Sequence, residues 1–306
     1  MTTTPALSLT AVPGRRKATI ELAQQIERRG FSGIFVPSPS DPLAFCEALA
    51  FATHEIPFAT GIMPIYFRQA QDVANTVSFI HEVSDGRFTF GIGVSHGPEL
   101  KTRGLAPSKT PLADTQKFVE DLRATPRAGL LPPIMLAALR SKMVALADEI
   151  AQGIILANGV RSHMRSALTN LSDEHRSSHD FVVANLIPVC ISDDVEAARA
   201  CNLKRIAPYV HFPNYRNYWK EAGYQEEMLA IEQAIASGDL ERIPRFLTDR
   251  WLDDITLSGT VAQVREGVEA WVEAGVKTPI LSPASINGGQ MVAYAEFLEA
   301  YRLEAQ

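Results

Sequence analysis

Two stretches of this 306-residue chain carry residue types at spacings that could do chemistry. The first is His96 with Glu99, just past the apolar run Phe88–Gly93, which ends Gly91-Ile92-Gly93-Val94-Ser95. An imidazole titrates near neutral pH, so His96 can take or give a proton at the mouth of a strand, and Glu99 is the second candidate. A solvent-facing loop histidine is the alternative. The second stretch is Ala138, Leu139, Arg140 and Ser141, which opens a helix directly behind Ile134–Ala137. A helix amino end presents free N–H groups and a positive dipole, and a guanidinium can grip a phosphate at two points. A solvated Arg140 beside a Ser141 N-cap is the competing reading. Arg161, Ser162 and His163 follow the next strand and could complete an anionic pocket.

Gly91 and Gly93 sit in or at the end of a strand, where a missing side chain lets a flat ligand approach the backbone. The same stretch is not a dinucleotide fingerprint. Its third glycine is out of place, and a long loop follows where a helix is required. Asp41 directly precedes Pro42 and reads as a helix N-cap with proline at the first helical position, a structural role. Gly86-Arg87 falls at the amino end of a strand, where a structural pairing is expected.

The elements that must position these residues alternate along the chain. Apolar, β-prone runs at 7–12, Ile34–Val36, 58–62, Phe88–Gly93, Ile134–Ala137, 154–156, 181–191 and 278–282 read as strands. Helical patterns lie between them. Ala18, Leu22 and Ile26 share one face before Gly30, and Ala70–Val83, 112–124 and 142–150 are further helices. Asp193 or Asp194 caps another. Thr260 with Gln263 forms a capping box ahead of Val261, Val264, Val268 and Trp271. Eight strands alternating with helices predict a (β/α)8 TIM barrel in one domain over 1–306, with reacting groups at the strands' carboxyl ends. An aromatic-rich helical insertion at 209–251 is expected to pack internally, meet another subunit or act as a lid, with packing or subunit contact favoured.

Composition narrows the function. The net charge is −6, which argues against a generic nucleic-acid or acidic-membrane binder, since those need a basic face, but leaves room for a small basic pocket for a phosphate. Cys46, Cys190 and Cys201 have no ligand spacing, and the remaining histidines form no cluster, so no metal site is expected. The cysteine usage suits a reducing cytoplasm. The amino-terminal residues lack a signal-peptide pattern, and no run of about 18 apolar residues exists to span a membrane.

The run Ile80-His81-Glu82-Val83-Ser84-Asp85-Gly86-Arg87-Phe88-Thr89-Phe90-Gly91-Ile92-Gly93 resembles the luciferase-like monooxygenase superfamily, in which a helix ending Ser-x-Gly-Arg leads into a strand ending Gly-x-Gly. Thr60-Gly61-Ile62-Met63-Pro64 with Arg68 agrees in order and spacing. So does Pro133-Ile134-Met135-Leu136-Ala137-Ala138-Leu139-Arg140-Ser141-Lys142-Met143 with the residues behind it, and Asp193-Asp194 with Glu196. The resemblance covers about 19–297 and is closer to the branch using the deazaflavin coenzyme F420 than to the FMN-using monooxygenases.

It implies a bulge with a non-prolyl cis peptide between Gly61 and Ile62 behind the cofactor ring. It also implies cofactor contacts at Gly61, Ile62, Gly93, Ser95, Ala138, Leu139, Arg140 and Ser141, and a substrate pocket near Ser38, Ser40, Met63 and Asn158. Relatives place glycines where Ala137 and Arg140 stand, and carry a proton donor where this chain has Ser38-Pro39-Ser40-Asp41. The implied activity is hydride transfer between F420 and a small organic substrate. An FMN monooxygenase and a non-catalytic flavin- or deazaflavin-binding protein are the alternatives. A homo-oligomer, a dimer first, is the expected state.

Overall fold

Short runs that are apolar on both faces need cover on both faces, and a ring of parallel strands walled by helices provides it. In this computed structural model, residues 4–37 and 41–303 are described; Ser38 and Ser40 lie outside them. The strands are β1 (Ala6–Ser8), β2 (Ile34–Val36), β3 (Phe58–Thr60), β4 (Met63–Pro64), β5 (Phe88–Gly93), β6 (Ile134–Ala137), β7 (Gly153–Ala157), β8 (Val182–Ile191), β9 (Leu257–Gly259) and β10 (Thr278–Ala284). Their hydrogen-bonded order is β10-β1-β2-β3-β5-β6-β7-β8, and β8 also pairs with β10, which closes the ring. β3 and β4 both pair with β5 and form one interrupted barrel strand, so eight positions make a (β/α)8 barrel. β9 attaches to β8 as an extra strand that the sequence did not announce. The first strand is shorter than the expected 7–12.

The chain divides into two compact units. One comprises Thr4–Leu156 with Thr169–Ala184, and the other Ala157–Leu168 with Asn185–Arg302.

The first unit buries Leu7, Ile34, Phe58, Phe88 and Phe90 completely or nearly so. Asp41 caps the helix Pro42–Ala52, accepting from the N–H groups of Leu43 at 3.1 Å and Ala44 at 3.4 Å, with Pro42 in the first turn. Arg87 is structural, as its place in the strand implied. Its Nη2 donates to the carbonyls of Ala50 and Thr53, both at 3.0 Å. Its Nη1 donates to the Thr53 hydroxyl at 2.9 Å and the Ile56 carbonyl at 3.1 Å. The guanidinium thus collects carbonyls left open at a helix end and fastens them to the start of β5. Glu27 does the opposite job, with one carboxylate oxygen accepting from the N–H groups of His54, Glu55 and Ile56 at 2.8, 2.8 and 3.0 Å.

In the second unit, Asp194 is the residue that caps Val195–Ile206, accepting from the Ala197 N–H at 3.0 Å. The Thr260–Gln263 capping box is present ahead of Val261–Glu273. The insertion folds as Pro213–Glu221, Gln225–Ser237 and Asp249–Ile255 with shorter turns between them. Its rings pack on each other: Trp219 meets Trp251 edge-on at 5.0 Å, and Tyr215 lies 5.3 Å from Trp219. Tyr215, Tyr218, Trp219, Tyr224 and Trp251 are all buried, so these aromatics serve packing. No helix among the described residues is long and apolar enough to cross a membrane, and none of their His, Cys, Asp and Glu side chains group to hold a metal.

Candidate active site

The break between β3 and β4 shapes the strand ends of the first unit. Ala59 stands opposite Thr89, and Met63 opposite Ile92. Three residues on one strand therefore face two on the other, a bulge of one residue at Thr60, Gly61 and Ile62. The Gly61-Ile62 peptide is cis, at the bond the resemblance implied. The Thr60 side chain stands in for the missing ladder bonds. Its hydroxyl donates to the Gly91 carbonyl at 2.7 Å and accepts from the Gly91 N–H at 2.8 Å. On the other flank, the Gly61 N–H donates to the Val36 carbonyl at 2.7 Å.

The glycines around this bulge do different work from that expected of them. A Cβ at Gly91 would lie 2.1 Å from the Thr60 carbonyl oxygen, which forbids any side chain there. A Cβ at Gly93 would lie 2.8 Å from the Ala137 Cβ and 3.1 Å from the Ile62 Cδ1. The space on the Cβ side of Gly93 is thus filled by Ile62 and Ala137. A Cβ at Gly61 would make only ordinary contacts, with Phe35 at 3.4 Å and Ile155 at 3.5 Å. Gly61 and Ile62 remain half-buried, as do Val94, Ser95 and His96 beyond β5.

The segment after β5, expected as a loop, contains the short helix Gly97–Thr102, with Ser95 at φ 62° and His96 in the N-cap position. Burial lowers the His96 pKa from the ordinary imidazole value, against the opposing pull of the Glu99 charge. The shift favours the neutral ring. Glu99 is exposed and ion-paired to Arg103 at 3.1 Å, so it influences His96 through its charge and is itself turned to solvent.

At the mouth of β6 the expected anion site contracts. Ala138 is 1% exposed, and its N–H already donates to the Ile155 carbonyl at 3.1 Å. Arg140, in place of Ser141, occupies the N-cap position of the helix Ser141–Ile150, and its carbonyl accepts from Met143 and Val144 at 3.0 and 3.1 Å. Leu139 is half-buried, while Arg140, Ser141 and Lys142 are exposed. The amino end of this helix thus carries two exposed cationic side chains, Arg140 and Lys142.

Two residues expected around a substrate are core residues. Met63 and Asn158 are each 2% exposed. The Asn158 carbonyl accepts from the Trp219 indole at 3.3 Å, and its N–H donates to Leu186 at 3.1 Å. Arg161, Ser162 and His163 do not form an anionic pocket either. The Asp254 carboxylate accepts from the Ser162 N–H at 2.9 Å and the Ser162 hydroxyl at 2.5 Å, with the Arg161 Nε 4.0 Å away. A carboxylate already occupies the place that an anionic ligand would take. Ser162 and Arg161 gave no sequence sign of this, because Asp254 lies far along the chain.

The sequence profile of the luciferase-like monooxygenases matches residues 1–125 and 113–278. The chain belongs to that family. This luciferase-like chain is 25% identical to a Mycobacterium tuberculosis (strain ATCC 25618 / H37Rv) protein provisionally named a coenzyme F420-dependent oxidoreductase, over 87% of this chain and 90% of the relative. It is 22% identical to the 5,10-methylenetetrahydromethanopterin reductase of Methanolobus tindarius, over 87% and 89% of the two chains. Among solved structures, the coenzyme F420 dependent tetrahydromethanopterin reductase of Methanopyrus kandleri shares the fold at a TM-score of 0.76. That match has 17% identity and covers 97% of this chain and 98% of that one. An FMN complex of a type II Baeyer-Villiger monooxygenase from Pseudomonas putida shares it at 0.66, with 15% identity over 99% and 97%. The luciferase-like fold and an oxidoreductase class are thus established for this enzyme.

Proposed function

We propose that the chain transfers a hydride between coenzyme F420 and a small organic substrate. The observation that carries this reading is the 25% identity, sustained over 87% of the chain, to the F420-named Mycobacterium tuberculosis protein.

The residues present fit such a cofactor. Gly61 and Ile62 offer a half-buried backbone and an aliphatic side chain against which a flat ring can lie, beside Ser95 and His96. Arg140, Ser141 and Lys142 would hold its phosphate at the exposed amino end of Ser141–Ile150, by charge-assisted hydrogen bonds and the helix dipole. When bound, the deazaflavin supplies the two-electron hydride chemistry. The chain's own contribution is orientation and proton handling. His96 Nδ1 is buried, and we assign the proton exchange to Nε2. With a lowered pKa, that nitrogen takes a proton from a substrate hydroxyl as its carbon is oxidised, and returns it in the reverse direction.

The second reading is an FMN-dependent monooxygenase, favoured by the FMN complex on the same fold. The phosphate end just described serves FMN equally. Titrating the protein with F420 and separately with FMN, followed by absorbance, distinguishes the two. F420 binding with hydride exchange against a panel of alcohols, aldehydes and enones is the expected result. A bound FMN spectrum without F420 binding favours the second reading, and binding of neither overturns both.

A further inference from the structure

The bulge leaves an unusual pairing beside the half-buried Gly61 and Ile62. Thr60 is fully buried, and its one hydroxyl serves both backbone groups of Gly91. A buried hydroxyl that uses its one donor and one of its acceptor sites on the same residue has its rotamer fixed by that pair. The opposing position can only be glycine, since a Cβ there would strike the Thr60 carbonyl. Thr60 is also in register with Val36 of β2, and the next N–H, of Gly61, donates back to Val36. The bulge is therefore pinned on both flanks through one side chain and one amide. Two residues on, Ile62 rests against Gly93, where a Cβ would come within 3.1 Å of it.

We propose that Thr60 is a positioning residue for the cofactor ring. Its hydroxyl fixes the register of the bulge, so that Ile62 stays seated on Gly93 and presents one defined aliphatic surface at the strand ends. Thr60 itself touches no ligand and acts through Ile62. A planar heterocycle needs a backing surface held to within a fraction of an ångström for reacting atoms to align, and a bulge free to slip would not supply one. This inference rests on the proposed cofactor-binding function.

The test compares wild type, Thr60→Val and Thr60→Ser, each titrated with F420 and with FMN while the bound chromophore's absorption band is recorded, alongside thermal unfolding. Valine keeps the shape and removes both hydrogen bonds; serine keeps the hydroxyl. Thr60→Val is expected to raise the Kd about tenfold or more and to shift the bound band, with Thr60→Ser staying close to wild type. A Thr60→Val protein that binds with wild-type Kd and band overturns the proposal even if its Tm falls, because only a structural role would then remain. Should Thr60→Val not fold, Ile62→Ala with Thr60 intact must show the same loss of affinity; an unchanged Kd overturns the proposal there too. A wild type that binds neither cofactor brings down the proposed function first, and this inference with it.

Discussion

Asp254 holds Ser162 at two atoms, accepting from its N–H at 2.9 Å and its hydroxyl at 2.5 Å, while the Tyr224 hydroxyl donates to the same carboxylate at 2.7 Å. The carboxylate is 8% exposed, so its partners have little water to turn to. Asp254→Ala strips both Ser162 donors of their acceptor, leaves the Tyr224 hydroxyl only the Arg250 carbonyl at 3.3 Å, and should lower unfolding stability by about 1–3 kcal/mol. Asp254→Asn, which keeps one carbonyl acceptor, should cost less. Denaturant unfolding measures both, and equal stability of Asp254→Ala and wild type would remove the network from the account.

Glu27 links stability to acid. Partial burial pushes its pKa up, but N–H donors from Glu55, Ile56 and His54 outweigh this and hold it below the usual value. A carboxylate whose folded pKa is depressed contributes stability that is present above its unfolded pKa and lost as pH falls through the folded one. Glu27→Gln should therefore have a lower Tm than wild type at pH 7, and the gap should close as the pH is taken down through the carboxylate range. A gap independent of pH would show that packing, not charge, is what Glu27 provides.

Arg140 is exposed at the N-cap of Ser141–Ile150, with no side-chain capping hydrogen bond. Arg140→Ala should weaken cofactor binding by about 1–3 kcal/mol. An unaltered dissociation constant takes Arg140 out of the phosphate end, leaving Lys142 and the helix amino end.

For His96 the lowered pKa sets the direction of the pH effect. If the neutral ring accepts the substrate's proton, kcat/KM for oxidation should be flat at neutral pH and decline as pH drops below the ordinary imidazole range. His96→Ala should reduce turnover by about 10²–10⁴ with little change in cofactor affinity. Unchanged turnover would clear His96 of a chemical role.

The sequence carried the barrel well because strands such as Ile34–Val36 and Ile134–Ala137 are apolar throughout, a pattern only two-sided burial explains. It carried caps such as Asp41 and Thr260 for a similar reason, since their partners lie within three residues. β9 escaped because Leu257-Ser258-Gly259 has one apolar residue, and Gly97-Pro98 at its start disguised the helix after β5. The surroundings of the site residues were less legible, for one cause. A glycine states that a side chain is missing but not what fills the gap, and at Gly93 the filler is Ile62, from another strand. Arg161 and Ser162 looked available for an anion because Asp254, their partner, is remote in sequence.

The aromatic packing of the insertion also decides what light can report. All three indoles of the chain, Trp219, Trp251 and Trp271, belong to the second unit and are wholly shielded from water. Indole emission, excited where tyrosine does not absorb, consequently arises from that unit alone, while the segment carrying the bulge, His96 and Arg140 has no indole. A melt followed by fluorescence beside one followed by far-ultraviolet dichroism would show whether the two halves lose their structure together or in turn.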